Sequence, residues 1–184
     1  MAEAPVWPHE VLAVWFRELG REAWFAPSDA VDVVVRSRLS GLPDRLLSGE
    51  LGDLVHAPVV ALAAVIGLDQ VPRHLHRGTA QAFRYDGAAR DLARSALAQG
   101  FDRDFDAERR LFLYLPFEHS ESAEDQALSV ALFAQLGDAE YLRYAEAHKA
   151  IIDRFGRFPH RNAALGRPST PAELAFLALP ESSF

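Results

Sequence analysis

The chain has 184 residues, 49% of them apolar and 24% charged, with a formal net charge of −7 and no cysteine. Such a length suits one domain over residues 1–184, able to bury roughly 70% of the surface its unfolded chain exposes. The missing cysteines exclude disulfides and thiolate metal sites, net acidity argues against non-specific nucleic-acid binding, and the longest apolar run, residues 57–68, falls short of the about 20 residues a membrane span needs.

The first residues, Met1-Ala2-Glu3-Ala4-Pro5, show no basic segment leading into an apolar run, so no secretory leader is expected and a cytoplasmic location is the default. Nearly every later segment reads as helix. Trp7-Pro8 opens the first, with proline suited to the first helical position and Glu10 near the positive end of the dipole. Val11, Leu12, Trp15, Phe16 and Leu19 form its apolar stripe, and Gly20 stops it. Ser28 or Asp29 caps a second helix carrying Val31 to Val35; valines favour strands, but the polar continuation through Arg36 and Arg38 lacks alternation. Gly41 and Pro43 interrupt it, and a short helical piece follows around Arg45-Leu46-Leu47.

Residues 57–68 are apolar on every side, the mark of a helix buried at the centre. Pro72 removes a ladder hydrogen bond and should kink or end it. Asp86 is expected to cap a helix over Ala88 to Ala98, closed by Gly100, and Asp106 one carrying Leu111, Phe112, Leu113 and Leu115, stopped by Pro116. Ser122 with Asp125 resembles a capping box opening a helix through Leu136. After Gly137-Asp138, Tyr141, Ala145, His148, Ile152 and Phe155 form the apolar face of the next helix. Thr170-Pro171-Ala172-Glu173 combines N-cap, proline and capping-box glutamate, predicting a short last helix. Short turns between such helices imply an all-α chain of antiparallel helical hairpins around one central apolar helix.

Three polar segments carry the chemistry. The first is Leu68-Asp69-Gln70-Val71-Pro72-Arg73-His74 with Arg77-Gly78 and Ala82-Phe83-Arg84-Tyr85-Asp86. The second is Leu113-Tyr114-Leu115-Pro116-Phe117-Glu118-His119-Ser120-Glu121 with Gln126, and the third Arg154-Phe155-Gly156-Arg157-Phe158-Pro159-His160-Arg161-Asn162 with Leu165-Gly166-Arg167. In this order, from Val11-Leu12 with Trp15-Phe16 to Phe184, they resemble the bacterial family known as domain of unknown function 924. The resemblance implies a tetratricopeptide-like stack of helical hairpins and no established activity. The chain departs from the pattern in two places: His74 stands where such proteins have asparagine, and Val71 where an aromatic follows the Asp-Gln pair.

Arginine's planar fork matches carboxylates and phosphates, and clustered guanidiniums repel unless acidic groups or a ligand neutralise them. Arg73, Arg77, Arg157, Arg161 and Asn162 are therefore candidates for holding a small polar or anionic metabolite, with Asp69, Asp86, Glu118 and Glu121 the acidic groups at hand. If the protein is an enzyme, His119 or His160 is the expected proton carrier and Glu118 its orienting carboxylate. Asp69 and Arg73 are spaced for an ion pair on one helix face, but Pro72 disturbs that geometry, leaving Arg73 and Arg77 to turn towards an anion. Imidazoles from His119, His148 and His160 would suit zinc, yet no metal-binding spacing occurs, nor any Gly-rich phosphate loop or nucleophile elbow, so no metal or cofactor is expected. The other reading is a non-catalytic module that binds a protein partner on stacked hairpins, with the three segments as internal braces. Nothing in the sequence indicates the oligomeric state.

Overall fold

The computed structural model describes residues 6–25, 28–180 and 182; they form helices and turns with no strand among them. The all-α expectation is met. The opening stretch read for a leader, residues 1–5, and the end of the family resemblance at Phe184 lie outside the described residues. The chain divides into two compact units, one drawn from residues 1–77 and 81–116, the other from 78–80 and 117–184.

The first unit is built around α4 (Pro58–Asp69), whose residues from Val60 to Asp69 are all buried. Pro58 starts it where its missing N–H costs nothing. α1 (Trp7–Ala13), α3 (Leu42–Leu47), α5 (Val71–Leu75) and α6 (Asp86–Ala98) all pack on α4, which is why it has no polar face. α6 meets it with Ala89, Leu92, Ala93 and Ala96, a stripe at helical spacing whose small side chains admit a close approach. α2 (Asp29–Leu39), capped by the Ser28 hydroxyl, is a helix despite its valines and lies against α5. Beyond α1 the chain winds as a π-helix over Val14–Leu19 before Gly20 turns it at φ 72°, an expansion the periodicity did not reveal. Trp15, Phe16, Trp24 and Phe112 meet edge to face around it, and the Trp24 indole donates to the Trp15 carbonyl at 2.8 Å.

Three expected helix ends differ. Asp86 is the first residue of α6 and Tyr85 takes the cap position, because the Asp86 carboxylate is drawn to Arg73. α7 (Ala107–Glu118) runs through Pro116 instead of stopping there. Proline forfeits one hydrogen bond, and burial of the Phe117 ring offsets it. Ser122 occupies the cap position of α8 (Ala123–Leu136) without a side-chain cap bond, since Asp125 accepts from Ser120 Oγ at 2.7 Å.

In the second unit, α8 and α9 (Ala139–Phe155) form an antiparallel hairpin. Its turn is fixed by Gly137 at φ 79° and by Asp138, whose carboxylate accepts from the Glu140 and Tyr141 amides. Ala145, His148, Ile151 and Ile152 are the buried positions of α9. Gly156 ends it in the left-handed region, and the chain returns so that Phe158 packs on Ile151 and Ile152, with Phe155 and Phe176 beside them. A 3-10 turn, Pro159–Arg161, follows, and α10 (Pro171–Leu177) begins with the expected Thr170–Glu173 capping box. Among the described residues, no helix is long and apolar enough to cross a membrane.

Candidate functional site

The two arginines of the first polar segment that were predicted to hold an anion are each matched with carboxylates. Arg73 donates to both oxygens of Asp86, at 2.9 and 3.1 Å, and lies 3.2 Å from the buried Asp69 carboxylate. Pro72 thus leaves the Asp69–Arg73 pair intact, because the chain restarts as α5 at once and keeps both residues on one side. Gln70 Nε2 donates to Asp69 Oδ2 at 2.6 Å. Arg77 donates to both oxygens of Asp32, at 2.9 and 3.1 Å, and His74 Nδ1 meets the same carboxylate at 2.8 Å. Burial pushes the Asp32 carboxyl up, but the bonds from His74 and Arg77 outweigh it and hold it below its ordinary value. Arg73 therefore ties α5 to α6, and His74 with Arg77 just beyond it ties α5 to α2.

The second and third polar segments meet within the second unit. Glu121 accepts from the Phe158 amide at 2.8 Å and from Arg167 at 2.8 and 2.9 Å, a bidentate pair. Burial raises the Glu121 carboxyl, and these bonds bring it below normal. Arg167 also donates to the Phe158 carbonyl and to Asn162 Oδ1, while Asn162 Nδ2 donates to Ser169. Arg157 grips Glu173 at 2.6 and 2.8 Å and reaches the Pro168 carbonyl, holding Glu173 at about 2. Gln126 Nε2 donates to the carbonyls of Glu118 and Ser120, at 2.6 and 2.7 Å, and so pins the turn after α7.

Inside this frame lies a cluster of different character. Phe158, fully buried, is its hub: the His148 ring meets it edge-on at 5.6 Å, the His160 ring lies 5.5 Å away, and the Arg161 guanidinium sits 4.5 Å above its centre. The His119 ring is 6.4 Å from that of His148. His148 Nδ1 faces the Tyr144 carbonyl at 2.9 Å and Glu118 Oε1 at 3.4 Å. Burial first, then the charges of His119, Arg161 and His160, press His148 down to about 3 against the pull of the Tyr144 bond. Burial and then Arg161 press His160 down to about 4. At neutral pH both rings are neutral beside a guanidinium only 7% exposed.

Of the residues singled out from the sequence, His119, His160, Arg161 and Glu118 come together. Glu118 Oε1 lies 3.4 Å from His148 Nδ1, a neighbour that the sequence did not suggest for it. Arg157 and Asn162 belong to the surrounding frame. Sequence reasoning placed His148 on the apolar stripe of its helix and missed its pairing; the one signal was a titratable ring where a leucine would serve. Glu173 as the partner of Arg157 was also missed, hidden by its role in the capping box. No group of three or more His, Asp or Glu side chains among the described residues is arranged to hold a metal ion. A surface hollow of about 110 Å³ in the first unit, lined by Trp7, Glu10, Val11, Arg38, Leu39 and Arg45, includes none of the residues predicted for a site.

Residues 11–181 match the family model described as bacterial protein of unknown function, DUF924. The chain belongs to this family. A solved structure of a protein of unknown function from Agrobacterium tumefaciens, ATU0120, is similar to it at 34% identity, with a TM-score of 0.88 over 93% of this chain and 96% of that one. None of the curated proteins matches the chain. The DUF924 assignment thus fixes kinship and fold and carries no activity with it.

Proposed function

We propose that the protein binds a small oxyanion-bearing metabolite, a carboxylate or a phosphate, at the Phe158-centred cluster of the second unit. The observation that carries this reading is the Arg161 guanidinium, buried against Phe158 among three imidazoles. Its charge helps to keep His148 and His160 neutral, so a planar guanidinium and neutral imidazoles, groups whose N–H donors suit an oxyanion, are gathered at one place. His119 and His160, each partly exposed, supply further donors, and Glu118 with His148 supplies a carboxylate–imidazole pair of the kind that general acid–base chemistry uses.

Arg73, Arg77, Arg157 and Asn162, expected from the sequence as ligand contacts, act in this reading as braces. Their partners Asp86, Asp32, Glu173 and Ser169 support that division of labour. A thermal-shift screen of the full chain against carboxylated and phosphorylated metabolites tests the reading. A stabilising anion whose effect vanishes in Arg161→Gln and survives in Arg77→Gln supports it. No stabilisation by any anion, with Arg161→Gln unfolding as readily as a brace mutant, would leave the protein-interaction module as the better account.

A further inference from the structure

The hollow of the first unit shares no residue with the Phe158 cluster, and its lining has a chemistry of its own. α1 begins on one side of it; on the other, α2 ends at Leu39 and the chain passes through Gly41 into α3. Val11, Leu39 and Leu42, all buried, make part of the lining apolar, with the Trp7 ring beside them. Gly41 has φ −87° and ψ −5°, open to residues with side chains, and a Cβ added there would meet nothing within 4 Å. The volume, about 110 Å³, suits roughly four carbon atoms, given that a dry cavity of about 150 Å³ holds benzene.

The rest of the lining carries both signs of charge. Glu10 Oε1 accepts from Arg38 Nε at 3.1 Å, and Arg38 reaches Glu18 as well, at 3.4 Å. Arg45 Nε donates to Glu50 at 2.7 Å. Among the described residues, Glu10 Oε2 and the two terminal nitrogens of Arg45 make no hydrogen bond. One carboxylate oxygen and one guanidinium edge are thus uncommitted at the same small hollow. All these side chains are exposed, and exposed pairs rearrange readily. A simple anion is disfavoured by Glu10, and a simple cation by Arg38 and Arg45. A molecule bearing both charges a few bonds apart suits both. We infer that the hollow binds a free α-amino acid with a short branched aliphatic side chain. The side chain lies against Val11, Leu39 and Leu42, the ammonium at Glu10 and the carboxylate at Arg45. Such a zwitterion has no net charge, so the overall charge of −7 neither draws nor repels it.

Trp7 supplies the reporter. Its indole N–H is buried with no hydrogen-bond partner among the described residues, and of the three tryptophan signals it is the one that Trp7→Phe removes. In nuclear magnetic resonance spectra of the full chain, titration with L-leucine or L-valine should move that signal and saturate, with a dissociation constant on the order of 1 mM. Glycine lacks the apolar body, 4-methylpentanoate the ammonium and 3-methylbutylamine the carboxylate; each should bind at least about tenfold more weakly than leucine. Glu10→Gln and Arg45→Gln should each weaken leucine at least about fivefold, with unchanged circular dichroism showing the fold intact. A Trp7 signal that neither leucine nor valine moves would overturn the inference. Either single-charge analogue binding as tightly as leucine would overturn it too, as would leucine binding that both variants leave unchanged. None of these outcomes bears on the anion reading at Phe158, whose residues lie in the other unit.

Discussion

Arg157 and Arg161 are near neighbours in one loop, yet their surroundings give them different work. The Arg157 fork is filled by Glu173 and the Pro168 carbonyl, so Arg157→Ala should loosen α10 and leave any anion effect in place. Hydrogen exchange across residues 171–177 would register that loosening. Arg167 matters more for stability. It serves a carboxylate that also holds the Phe158 amide, and Arg167→Ala should cost about 2–3 kcal/mol in urea unfolding by leaving Glu121 with its charge poorly matched.

The histidines set the response to acid. His148 and His160 stay neutral in the fold down to about 3 and about 4, whereas the unfolded chain protonates them near 6.5. Stability is therefore complete above that value and falls as pH drops below it, since the unfolded state binds more protons. The Glu121 and Glu173 carboxyls, both depressed, add a second loss that begins only below their ordinary value of 4.5. His148→Gln should flatten the slope of stability against pH between about 6.5 and about 4.5, which unfolding curves at several pH values would read directly.

At the level of elements, the close contacts of α4 are the most exacting. A Cβ added at Gly67 would lie 2.7 Å from Leu46 Cδ1 and 2.9 Å from Leu42 Cδ2, so α3 must shift or both leucines change rotamer. Alanine would gain nearly 1 kcal/mol of helix propensity. Overpacking outweighs it, and Gly67→Ala should be destabilising by about 1–2 kcal/mol net in denaturant unfolding. Most helices were legible because their apolar stripes and stop signals agree, as in α9 between Asp138 and Gly156, or in the Thr170–Glu173 capping box. Ends that depend on distant partners were not. Asp86 and Asp125 are good capping residues whose side chains are claimed by Arg73 and Ser120, and Pro116 is tolerated because burial follows it.

For the molecule as a whole, the proposed anion binding predicts a measurable gain in stability. A ligand at a hundred times its dissociation constant adds about 2.7 kcal/mol, and a chain of this size should then melt roughly 5–10 °C higher. Differential scanning fluorimetry with sulfate as the probe would show it.

By itself the order of residues determined the helical class, the central apolar helix, the family and the three stretches where polar chemistry gathers. Those properties are local, written in periodicity and in short motifs. That Arg157 meets Glu173, Arg167 meets Glu121 and Arg161 lies over the Phe158 ring was decided only by the tertiary structure. Arg157, Arg161 and Arg167 are chemically alike along the chain, and what separates them is the packing that places Glu173, Phe158 and Glu121 at their tips. The same packing brings His148, thirty positions further along the chain, to Glu118.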